Sequence, residues 1–109
     1  MIEAVVDWFR VENGKLLIAG WAMNTSMLGQ HPWSCLVRIG QAQQPLHTDL
    51  RQSGLHRPDV AGAFGPQFNP YVGYQLTLGL DGAPAGEQVV TVEWADSQAS
   101  KYNQFSVTI

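Results

Sequence analysis

The residues of this chain best suited to metal or nucleophilic chemistry are His31, His47, His56 and the lone cysteine, Cys35. His47 and Asp49 form an H-x-D pair that would offer two ligands from one face of a strand. A zinc site requires at least a third protein ligand, and neither H-E-x-x-H nor paired C-x-x-C spacing supplies it. Cys35 falls mid-strand on an apolar face, where a cysteine reads as a small core residue with an inert thiol. No G-x-S-x-G elbow presents a serine, no glycine-rich loop cradles phosphate, and Asp81-Gly82 lacks the spaced carboxylates of a calcium loop. A glycosidase pair of carboxylates is defined by spatial separation, and nothing in the sequence points to one. The expectation is a non-catalytic chain without metal or cofactor.

Aromatic side chains are the richer signal. The chain holds four Trp, three Tyr and four Phe in 109 residues. Trp21 and Trp94 lie within strand patterns and read as core. Trp33, beside Pro32 at a strand entrance, and Tyr71, after Asn69-Pro70, read either as exposed rings or as rings packed under a loop. Flat aromatic faces accept the C–H patches of sugars, and amides such as Gln67 and Asn69 read hydroxyls. Trp33, Tyr71, Gln67 and Asn69 are therefore the candidate ligand residues.

The elements that must position these residues are strands. Ala4 to Val11 is rich in β-branched and aromatic residues, and Asn13-Gly14 then gives a strong two-residue hairpin signal. Lys15 to Met23 alternates, with Leu16, Ile18, Gly20 and Ala22 on one face. Trp33 to Gly40 puts Trp33, Cys35, Val37 and Ile39 together, and a short strand near Leu46 to Leu50 pairs with it. Tyr71 to Leu80 shows a period of two, as do Gln88 to Ala95 and Tyr102 to Ile109. Between them, Pro58 to Phe64 predicts a short helix, with Pro at its first position, Asp59 in its first turn and Gly65 beyond its end. The pattern predicts an all-β fold: an immunoglobulin-like antiparallel β-sandwich of six to seven strands with one short helical crossover.

Length and composition bound the rest. At 109 residues the chain fits one domain, residues 1–109, of a size that builds a core without staples. Only 14% of residues are charged, against about 25% in a typical domain, which suits a module attached to a larger protein. Six basic residues against nine acidic ones give a net charge of −3. The basic residues are scattered, and nucleic-acid binding needs them clustered. No apolar run approaches the ~20 residues that span a bilayer, and no leader pattern opens the chain. With a single cysteine, a cytoplasmic location is the simplest expectation.

Three stretches together carry a resemblance: Val6-Asp7 followed by Ile18-Ala19-Gly20-Trp21-Ala22, Arg57-Pro58-Asp59-Val60-Ala61 ending at Phe64-Gly65, and Gly73-Tyr74-Gln75-Leu76. Their order and spacing resemble a small β-sandwich domain appended to bacterial glycosyltransferases and methyltransferases of surface-polysaccharide biosynthesis. The resemblance implies a non-catalytic accessory domain and transfers no catalytic residues. Gly20, Trp21, Arg57, Pro58, Asp59, Gly73 and Tyr74 are its structural motif. Gly20 would allow close approach beside Trp21, Arg57 and Asp59 would pin the crossover, and Gly73 would leave room for Tyr74 or the helical turn. The loop Asn24–Pro32 and the GPQFNP segment depart from the simplest pattern and mark where specific recognition would fall. The partner expected is a glycan or an attached catalytic domain. The alternative is a spacer or homo-oligomerisation module that binds no small ligand.

Overall fold

The computed structural model describes residues 1–40, 46–47 and 53–109; for 46–47 it describes the backbone only. The opening hairpin forms as its turn residues dictate. β1 (Ile2–Glu12) and β2 (Lys15–Asn24) pair antiparallel with Glu12 opposite Lys15. Asn13 and Gly14 take φ of 53° and 72°, as a two-residue turn matched to strand twist requires. β3 (Ser34–Ile39), β4 (Leu46–His47), β5 (Ser53–His56), α1 (Pro58–Phe64), β6 (Tyr71–Gly79), β7 (Glu87–Ala95) and β8 (Ser100–Thr108) follow.

Among the described residues, the strands build two antiparallel four-stranded sheets, ordered β1-β2-β6-β5 and β4-β3-β7-β8. The all-β sandwich is thus the fold. Its core is the set of alternating residues anticipated from the pattern. Leu16, Ile18, Tyr74, Leu76 and Leu78 from one sheet meet Cys35, Val37, Ile39, Val90, Val92 and Trp94 from the other. Burying apolar area at about 25 cal/mol per Å² is what holds the two sheets face to face. Among the described residues no helix is long and apolar enough to cross a membrane.

Three details differ from the pattern. β5 was not foreseen, because Gly54 takes φ 73° and the register with β6 shifts between Ser53, Leu55 and His56, which erases any alternation. α1 covers the residues expected of it, yet it joins β5 to β6, neighbours in one sheet. The change of sheet falls earlier, between β4 and β5, so the helix is not the crossover. Trp21 is half-buried but not between the sheets. It packs against a second cluster formed by Met23, Val60 and Val72, and Phe64 of α1 meets its ring edge-on at 5.9 Å.

Candidate functional site

β1 begins with Ile2 and Ala4 buried, so a period of two would next send Val6, Trp8 and Arg10 inward. Val6 does pack against the core, but Trp8 and Arg10 do not, because a β-bulge intervenes. Val6 lies opposite Gly20, Trp8 lies opposite Ala19, and Asp7 has no partner residue on β2. One extra residue reverses the facing of everything after it. Trp8 and Arg10 therefore point out of the sandwich. Phe9 points in, where its ring stacks on Phe105 of β8 at 4.1 Å.

The motif residues converge on this bulge. A Cβ on Gly20 would collide with the Val5 carbonyl oxygen and come within 2.9 Å of the Tyr74 hydroxyl. The close approach expected at Gly20 is present, and what approaches is the bulged backbone of β1. The Tyr74 hydroxyl donates to that same Val5 oxygen at 3.3 Å, and burial raises its pKa above the usual phenol range. Asp7 accepts from Arg57 Nη1 at 2.7 Å. Arg57 also donates through Nε and Nη2 to the two carboxylate oxygens of Asp59, at 3.0 and 2.9 Å.

This fork–fork pair is the strong geometry for arginine and carboxylate. The bonds to Asp59 and then Asp7 raise the Arg57 pKa, and the same guanidinium lowers that of Asp59. The Arg57 stem runs across Gly73, where a Cβ would lie 2.7 Å from Arg57 Cγ and 3.1 Å from the Leu55 carbonyl oxygen. Gly73 thus clears a path for Leu55 and for Arg57, the N-cap residue of α1, rather than for Tyr74.

A groove of about 260 Å³ opens on the outer face, lined by Asp7, Trp8, Ala19, Gly20, Leu55, Arg57, Gly73, Tyr74 and Gln75. Its floor is made of small residues, and Trp8, 41% exposed, stands at its β1 border. The cross-strand row Trp8–Ala19–Gln75 fixes its width. At about 4.8 Å between strands, Trp8 and Gln75 are roughly 10 Å apart. Arg10 lies over the Trp8 ring, 5.1 Å from its centroid, and pairs with Glu12 at 2.9 Å.

The candidate ligand residues named from sequence lie elsewhere. Trp33 is 62% exposed at the entrance to β3, and Tyr71 is 55% exposed at the start of β6, so the two rings belong to different sheets. Tyr71 stacks on His56 at 5.1 Å. Asn69 Oδ1 accepts from the Tyr71 amide at 3.0 Å, which makes it a turn-former. Gln67 is exposed and lies beside Gly65. The two departing segments do meet: the Asn69 amide donates to the Leu28 carbonyl at 3.0 Å, and Gly29 packs on Phe68. The residue that sequence reasoning missed is Trp8. Its only local signal is a polar Asp7 interrupting an apolar run.

The residues first considered for chemistry are placed as follows. Cys35 is buried in the core. His31 Nδ1 donates to the Ala22 carbonyl at 2.8 Å, its ring lies 4.8 Å from Trp94, and burial lowers its pKa. Asp49 and the side chain of His47 lie outside the described residues. Among the described residues, no group of three or more His, Cys, Asp or Glu is arranged to hold a metal. Comparison with known proteins finds no matching family model, no matching curated protein and no matching solved structure.

Proposed function

We propose that this chain is a non-catalytic accessory domain of a bacterial polysaccharide-biosynthesis glycosyltransferase and that it binds carbohydrate in the Trp8 groove. The observation that carries the reading is the bulge. It turns a large indole out of the core and sets it over a floor of Ala19, Gly20 and Gly73, with Asp7, Arg57 and Gln75 around it. An aromatic face with a few convergent polar groups is the usual make-up of a small-molecule site. The stretches that carry the resemblance support it, since Asp7, Gly20, Arg57, Gly73 and Tyr74 all line this one groove. A lone buried Cys35 agrees with residence in the cytoplasm.

A second reading, a spacer that binds nothing small, draws support from the same residues. Gly20, Tyr74, Arg57 and Gly73 each have a structural part in holding the bulge. A glycan array probed with the wild type and with Trp8→Ala separates the two. Specific binding that falls at least about tenfold in Trp8→Ala supports the carbohydrate reading. A folded wild-type domain that binds no glycan supports the spacer.

A further inference from the structure

The geometry points to a neutral pyranose as the ligand of the Trp8 groove, with sugars bearing carboxylate or phosphate excluded; this inference rests on the carbohydrate reading above. The groove, at about 260 Å³, is smaller than the ~300–1,000 Å³ that takes a drug-sized ligand. It therefore suits one small ring and not a nucleotide or an acyl chain. The roughly 10 Å between the strands of Trp8 and Gln75 leaves a ring's width above Ala19. A pyranose presents partly positive C–H groups on one face, complementary to the negative face of the indole. Arg10 backs the ring from the hairpin side, since Arg10 pairs with Leu17 while Asp7, Gly20 and Gly73 lie toward the other end of the strands.

Charge decides the ligand class. Among the described residues, both cations beside Trp8 are already matched: Arg10 by Glu12 at 2.9 Å, and Arg57 by Asp7 and Asp59 at 2.7 and 2.9 Å. With two carboxylates on one guanidinium, the Arg57 cluster carries a net negative charge. Among the described residues an anionic sugar entering here would find no further cation; it would meet Asp7 or have to break a bidentate pair. A hydroxyl meets no such obstacle. It donates to the Asp7 carboxylate, and it accepts from Gln75 or from the N–H groups of Arg57 outside its three ion-pair bonds. Arg57 is accordingly a positioning residue: it holds Asp7 at the bulge and neutralises part of its charge.

The test presents acidic oligosaccharides to the intact domain, each beside its carboxyl-reduced form, together with neutral glycans. Affinities of the hits are then measured by calorimetry at low and high salt. The expected result is neutral and carboxyl-reduced forms binding at least about tenfold tighter than the acidic parents, with little salt dependence. Binding should be lost in Trp8→Ala and retained in Tyr102→Ala on the far sheet. Asp7→Asn, checked for folding by its amide spectrum, should narrow the gap between acidic and reduced forms. Tighter binding of the acidic parents overturns the inference while leaving the carbohydrate reading in place; glycan binding indifferent to Trp8 overturns the inference and removes the ligand from this groove. Absence of binding by every glycan overturns both.

Discussion

Along β7 and β8, nine consecutive residue pairs from Glu87–Thr108 to Ala95–Ser100 stay in register, whereas the β1–β2 ladder slips once, between Val6 and Trp8. The regular ladder keeps a plain division of faces. Val90, Val92 and Trp94 go to the core, and Thr91 and Gln104 meet outside through a 3.1 Å hydrogen bond. The slipped ladder needs a dedicated glycine, a tyrosine hydroxyl and an ion-paired arginine to hold it. Regularity is self-supporting because each pair repeats the last; an interruption must be over-determined by its surroundings to persist. The interruption is also where a groove opens and an indole faces outward.

The largest expected effect breaks the slip itself. Gly20→Ala would drive a methyl into the Val5 carbonyl, which backbone cannot move aside without losing the bulge. We expect a loss of more than about 4 kcal/mol in urea unfolding. Gly79→Ala, in the same sheet and with nothing within 4 Å of the added Cβ, should stay within about 0.5 kcal/mol. Equal costs at the two positions would show that the bulge is not what Gly20 serves.

A smaller effect sharpens the same comparison. Tyr74→Phe removes only the hydroxyl that donates to Val5 at 3.3 Å, at an expected cost of about 1 kcal/mol. The Trp8 indole N–H resonance should shift with it, because the bulge beside that ring loses a tether. A change confined to core resonances would detach Tyr74 from the groove.

The smallest effect lies away from the slip, at His31 between the two sheets' strands β2 and β7, and is read by pH. His31 leans on Trp94 of β7 and has its pKa lowered by burial. The unfolded chain therefore takes up a proton near pH 6.5, where the folded one still resists. Stability should be level above that pH and should decline as pH falls below it, until the folded histidine also protonates. His31→Gln should flatten that part of the profile while leaving the Gly20 and Tyr74 effects intact. An unchanged profile would assign the decline to other groups.

Much of the fold was legible because it is local. The Asn13-Gly14 turn, the α1 boundaries and the alternation of Tyr71 to Leu80 each follow from a few adjacent residues. The site was legible only in part. Arg57, Asp59, Gly20, Gly73 and Tyr74 stand out as a set, and close approach at the two glycines is legible, but the partners that approach them are not. Their actual neighbours, Val5 and Arg57, come from other strands or from the turn before α1. For Trp33 and Tyr71 the sequence leaves exposure and packing under a loop both open; the two rings are exposed, yet exposure at two separate strand ends does not assemble a shared surface.

The sequence by itself determined that the chain forms antiparallel strands, most of the residues that fill the core between them, and where its hairpin and short helix begin and end. Periodicity and turn chemistry act over a few residues, and each is complete within its own segment. The tertiary structure alone decided that β1 skips a residue at Asp7 and that Trp8 therefore faces outward. Pairing register is set by the partner strand. The Val5 carbonyl, Gly20, Tyr74 and the Arg57–Asp7 pair favour the slip only once β1, β2, β6 and the residues after β5 lie side by side.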